Sequence, residues 1–195
     1  LLGVAVIASA LLAATSNWLP AIATALVCTL VAAVLSQRER RSWTALGGIY
    51  VLLPILALLW IRGEADTGLL TIVWMLIVVW STDTGAYFAG TTIGGPKMAP
   101  RLSPNKTWAG LAGGVICAAL ASVLIGKVAD AGTITTLALF GVLAAVIGQI
   151  GDVCESSVKR HFGVKDSGTI IPGHGGLFDR LDSLLPTVPL VAVGV

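Results

Sequence analysis

Charged side chains are scarce in this 195-residue chain: 11% of the residues are Asp, Glu, Lys or Arg, against 56% apolar. A soluble domain carries about 25% charge, so this shortage, with a mean hydropathy of +0.93, excludes an ordinary globular protein. Cysteine is sparse too. Cys28, Cys117 and Cys154 are far apart and lie in or beside apolar runs, which gives neither a disulfide framework nor zinc-ligand spacing. The net charge is only +2 and no basic block occurs, so no nucleic-acid partner is expected. No internal repeat is evident. The first apolar stretch lacks the basic leader and small-residue cleavage site of a signal peptide. The chain starts at Leu1 without Met and stops at Val195 inside an apolar run; it is expected to be a portion of a longer protein, incomplete on its N-terminal side.

What the chain has in abundance is long apolar runs, at about 1–15, 18–36, 43–61, 69–80, 108–126, 134–150 and 184–195. One hydrocarbon span needs roughly 20 apolar residues, so the expectation is an all-α, polytopic integral membrane protein with about seven transmembrane helices in a single membrane domain, 1–195. The fourth run is too short to span alone and is expected to continue through 81–90, carrying Asp83 into the membrane or to its edge. Trp18, Trp43 and Trp108 stand where spans begin, as interfacial anchors do. Gly110, Gly113 and Gly114 suit close helix packing.

Hairpinned in order, these runs put the connections 37–42, 82–107 and 151–183 on one side. Those three segments hold ten of the twelve Lys and Arg residues, leaving Arg62 and Lys127 opposite. The positive-inside bias makes the rich side cytoplasmic. Seven of the ten acidic residues gather there as well: Glu39, Asp83, Asp152, Glu155, Asp166, Asp179 and Asp182. Acidic residues contribute little to topology, so their gathering calls for chemistry.

The segment 151–183 reads GDVCESSVKRHFGVKDSGTIIPGHGGLFDRLDS. Asp152 follows one apolar run, and Asp179 and Asp182 precede the next. If a helix opens over 177–185, the three-residue spacing sets both carboxylates on one face. Three carboxylates converging from two helix ends would make an oxygen-rich site for a hard cation such as Mg²⁺, which binds through one or two carboxylates plus substrate phosphates. A helix N-terminus alone would also favour Asp179 and Asp182 through its dipole. Lys159, Arg160, Lys165 and Arg180 lie among these acids, where fixed cations can meet phosphate, although surface lysines and arginines also serve topology and anionic lipid. The glycine-rich turn 172–176 lets backbone amides approach an anion, and His174 within it could donate to a phosphate or leaving group.

The segment 82–107 contributes Asp83 at the membrane edge, then Lys97, Arg101 and Lys106 among Gly94, Gly95 and prolines. These make a rigid basic loop able to cover a polyphosphate. A turn-rich connector accounts for the Gly and Pro but not for an intramembrane acid. The glycine-lysine-hydroxyl ending of a Walker loop is absent.

The run S-x-V-K-R-x4-K-D-x-G-x2-I-P-G-H-G-G-L-F-D-R-L-D from Ser156 through Asp182 resembles the phosphatidate cytidylyltransferase, or CDP-diacylglycerol synthase, family. The stretches SPNKTWAG from Ser103 and DTGAYFAG from Asp83 share the likeness, which covers 81–195 at least. The resemblance implies that CTP and phosphatidate are joined into CDP-diacylglycerol with release of pyrophosphate. By position it implies Asp152, Asp179 and Asp182 as metal carboxylates, with Mg²⁺ and a second cation such as K⁺. It places Lys159, Arg160, Lys165, Asp166 and His174 in the catalytic motif, and Asp83, Lys106 and Arg180 at the substrate. Lys159 and Arg160 are assigned to phosphate first, and Lys106 to the triphosphate. The partners implied are CTP, phosphatidate and membrane lipid, with a homodimer compatible with the family. The expected location is a bacterial inner membrane, with the active site facing the cytoplasm.

Two rivals stand beside this reading. A CTP-dependent polyprenol (dolichol-type) kinase would move the γ-phosphoryl group to an alcohol and release no pyrophosphate. A transporter would use Asp83 and glycine-broken helices as a pathway, but leaves the clustered cytoplasmic carboxylates without a reason. The DG-x2-AR-x8-G-x3-D-x3-D pattern of CDP-alcohol phosphotransferases is absent.

Overall fold

The computed structural model describes residues 2–15, 17–100, 102–168 and 176–194. These residues form seven α-helices and one short β-hairpin. Each helix stands on one of the seven apolar runs, in an all-α membrane architecture. Five of them, lying within 18–35, 38–63, 68–92, 108–128 and 134–161, are long and apolar enough to cross a bilayer. The helix α1 (Leu2–Ala14) has 13 residues and α7 (Leu184–Val193) has 10, fewer than the roughly 20 that a span requires. The chain divides into two compact units, 1–72 with 188–195, and 73–187.

In the first unit α1, α2 (Trp18–Leu35) and α3 (Arg41–Gly63) pack together. Their interior is built of small residues: Ala5, Ser9, Ala13, Ala21, Ala25 and Thr29 are buried, while Leu19 is 80% exposed and Leu30 65%. Such a distribution would be costly in water, but in lipid the large apolar side chains face tails and the small ones let helices approach. A Cβ on Gly48 would stand 2.6 Å from the Thr29 methyl carbon, so any larger residue there would have to displace the Thr29 side chain where α2 and α3 meet.

The second unit carries the polar chemistry. It contains α4 (Gly68–Thr92) from residue 73 onward, the antiparallel strands β1 (Lys97–Ala99) and β2 (Ser103–Thr107), then α5 (Trp108–Val128), α6 (Ile134–His161) and the first turn of α7. The fourth apolar run does continue as helix, so Asp83 sits about two and a half turns before the end of α4. Glycines set the spacing of α4 and α5: a Cβ on Gly114 would lie 2.8 Å from the Thr82 carbonyl oxygen, and one on Gly110 would lie 2.9 Å from that of Ala86. Gly141 does the same for α6, where a Cβ would be 2.8 Å from the Ala118 carbonyl oxygen of α5. Thr107 and Thr133 cap α5 and α6, accepting from the amides of Gly110 and Thr136, as N-cap hydroxyls do.

The helix α6 runs past Ile150, where its apolar stretch stops, to His161, 28 residues in all. At 1.5 Å per residue it is roughly 42 Å long, against a hydrocarbon core of about 30 Å. Its last three turns are therefore free to be polar. Instead of a helix opened over 177–185, the chain makes a 3₁₀ turn at Phe178–Arg180 and begins α7 at Leu184. That start puts Pro186 in the first turn, where its missing N–H costs nothing. Asp179 and Asp182 consequently do not share a helix face.

Candidate active site

Because α6 continues, Gln149, Asp152, Glu155 and Lys159 line one stripe at helical spacing. Gln149 and Glu155 are buried. Lys106 arrives from the other segment: β2 carries it against this stripe, where its Nζ donates to Gln149 Oε1 at 3.0 Å and pairs with Asp152. The hairpin thus joins 82–107 to 151–183 through one ammonium group. Asp83, on α4, lies within electrostatic reach of Asp182, Asp152 and Lys106.

Asp182 is brought to the stripe by glycine. A Cβ on Gly151 would meet the Pro186 ring and stand 2.8 Å from the Asp182 carbonyl oxygen. Burial, and after it the neighbouring Asp152 carboxylate, push the Asp182 carboxyl above its ordinary value. Its Oδ1 accepts from the Ser183 amide at 2.7 Å. Gly151→Ala should therefore force residues 182–186 away from α6. Overpacking of this kind costs about 1–3 kcal/mol, more than the roughly 1 kcal/mol that Ala gains over Gly in a helix. The expected outcome is a lower midpoint of thermal unfolding in detergent and a loss of activity; an unchanged midpoint would mean that the segment yields freely.

Asp179 is a hub of another kind, with a side chain 11% exposed. Oδ1 accepts from Lys159 Nζ at 2.9 Å and from the Ser167 amide at 3.1 Å, while Oδ2 accepts from the amides of Ser167 at 2.9 Å and Gly176 at 2.8 Å. Burial works to raise its carboxyl, but the hydrogen bonds of Lys159, Ser167 and Gly176 outweigh it and hold Asp179 well below the usual carboxylate range. Lys159 is also 3.2 Å from Glu155 Oε1, so its ammonium lies between two carboxylates.

The remaining sequence-derived candidates spread outward. Arg160 and Arg180 are exposed, as are Lys165 and Asp166 in the turn after α6. His174 and Arg101 lie outside the described residues.

No three His, Cys, Asp or Glu side chains among the described residues are gathered closely enough to hold a metal ion by themselves. Asp152 and Asp182 nevertheless suit one: two neighbouring carboxylates whose crowding raises Asp182 would be relieved by a cation, and Mg²⁺ takes one or two carboxylates with substrate phosphates completing its shell. Asp179 suits it less, because both of its oxygens are already engaged.

A profile of the cytidylyltransferase family matches residues 1–195. The chain belongs to the cytidylyltransferase family. Relatives within reach include the phosphatidate cytidylyltransferases of Brucella suis biovar 1 (strain 1330), 44% identical over 158 residues, and of Bacillus subtilis (strain 168), 42% identical over 147. The first alignment covers 81% of this chain and 58% of the relative, the second 75% and 55%. The chain thus spans a little over half the length of the curated relatives it matches.

For this cytidylyltransferase-family chain, sequence reasoning passed over three residues that the geometry brings in: Gln149, Glu155 and Ser167. Glu155 counted only as one more acid in a polar segment. Its signal was the spacing Asp152, Glu155, Lys159, which becomes a face only once α6 is extended.

Proposed function

We propose that the protein is a membrane nucleotidyltransferase that joins CTP and phosphatidate to give CDP-diacylglycerol and pyrophosphate. The observation that carries this reading is the meeting of Asp83, Lys106, Asp152 and Asp182 at the polar end of α6 in a chain of the cytidylyltransferase family. Acidic and basic groups alternate there, as two anionic substrates and a cation require. A phosphatidate oxygen forms a bond to the α-phosphorus of CTP as the bond to the bridging α–β oxygen breaks, and pyrophosphate leaves with that electron pair. Both reactants are anions, so acceleration comes from orientation and charge neutralisation more than from a strong base.

Asp152 and Asp182 would hold Mg²⁺, which neutralises phosphate charge and orients the reacting groups. Lys106 and Lys159 supply fixed positive charge to the phosphates, with Arg160 and Arg180 reachable from the exposed faces beside them. Phosphatidate keeps its acyl chains in hydrocarbon and offers its phosphate at the headgroup level, where the polar turns of α6 emerge. CTP comes from water. The positive-inside bias puts this end in the cytoplasm, and short connections suit a bacterial inner membrane.

Full-length protein in detergent, given phosphatidate and CTP labelled at the α- or γ-phosphate, tests the reading. The expected result is α-label in CDP-diacylglycerol and γ-label in pyrophosphate, in equal amounts, with Mg²⁺ and not with a chelator. Transfer of γ-label to an alcohol, or no product at all, would discard it.

A further inference from the structure

Glu155 is the deepest acid of the second unit. It is 2% exposed, and neither carboxylate oxygen accepts a well-angled hydrogen bond among the described residues. Among the described residues its ion-pair partner is Lys159, whose Nζ lies 3.2 Å from Oε1. A buried carboxylate without hydrogen bonds is costly, and it is tolerated where its charge holds something else in place.

What it holds is the Lys159 side chain. Lysine is a flexible stem bearing a compact charge. With Asp179 alone, its ammonium could pivot about one contact. With Glu155 one helical turn below on the same face, it is caught between two acids, 2.9 Å from one and 3.2 Å from the other. It donates to Asp179 Oδ1 and is held by charge at Glu155, and an ammonium group carries three donors in all.

We propose that Glu155 is a positioning residue that fixes the Lys159 ammonium for a nucleotide phosphate. The phosphate contact rests on the function proposed above, whereas the mutual dependence of Glu155 and Lys159 does not. The isosteric Glu155→Gln keeps the packing volume and removes the charge, so a purely space-filling Glu155 would leave ligand binding unmoved.

The test is a double-mutant cycle on the full-length protein in detergent with Glu155→Gln, Lys159→Met and the pair together, reading both the CTP dissociation constant by titration calorimetry and the thermal unfolding midpoint. Glu155→Gln is expected to weaken CTP binding by about tenfold, the size of one displaced charge-assisted hydrogen bond. The double variant should bind no more weakly than Lys159→Met. In unfolding, Lys159→Met strands the buried carboxylate and lowers the midpoint, and adding Glu155→Gln should restore part of it. Independent, additive effects on binding, or a midpoint that Glu155→Gln fails to restore, would overturn the proposal. If the wild type binds no CTP, the phosphate assignment falls with the proposed function, and the unfolding arm still decides whether Glu155 holds Lys159.

Discussion

Asp182→Asn is expected to lower turnover by about a hundred- to a thousandfold, the usual cost of removing one preorganised electrostatic group, while leaving the protein as stable as before or slightly more so. The two halves of that expectation have separate causes. Asp182 lies beside Asp152 and within reach of Asp83, so Asn removes one of the two carboxylates best placed for the cation. Because burial and Asp152 raise the Asp182 carboxyl, its ionised form is disfavoured by the fold at pH values above the ordinary carboxylate range. Neutral Asn removes that penalty, and its amide oxygen can still accept from the Ser183 amide. Turnover and unfolding midpoint measured on one preparation check both halves. Retained turnover would take Asp182 out of the site, and a large fall in midpoint would make it a structural residue instead.

The membrane architecture was legible in the sequence because hydropathy is an average over many residues, and no single position decides it. The starts at Trp18, Trp108 and Ile134 agree with the helices found. The polar end of α6 was not legible in the same way. Lipid exposure decides where a helix must be apolar, whereas backbone hydrogen bonding decides where it ends. The apolar run stops at Ile150 while the helix continues to His161, and reading one as the other hid the stripe that holds Glu155.

Long-range partners were beyond reach for a different reason. The acidic and basic groups of both segments were visible as sets, but nothing local pairs Lys106 with Asp152 or Lys159 with Asp179. The hairpin that delivers Lys106 has strands of three and five residues, the second containing Pro104, so it shows no alternation from which to read it. Asp179 and Asp182 were read as equals from their spacing. Tertiary contacts separate them: one is saturated by amides and an ammonium group, and the other is crowded by acids.

That separation makes Asp179→Asn the opposite experiment, costing stability as well as turnover. Both oxygens of Asp179 accept from donors, so either orientation of an Asn amide turns its NH₂ toward a Lys159, Ser167 or Gly176 donor. Breaking such a pair costs about 3–5 kcal/mol when fully buried; residual solvent screening reduces the expectation here to roughly 2–3 kcal/mol. The pH dependence has a definite sign. The folded carboxyl is depressed below its unfolded value of about 4, so Asp179 contributes its full stability above that pH and loses it as the pH falls toward the depressed value. Unfolding midpoints of wild type and Asp179→Asn should therefore be well separated at pH 7 and converge as the pH is lowered below about 4. Turnover at pH 7 should fall at least tenfold, because Lys159 loses one of its two acids. A variant that unfolds with wild-type stability at pH 7 would show that the hub contributes nothing to the fold.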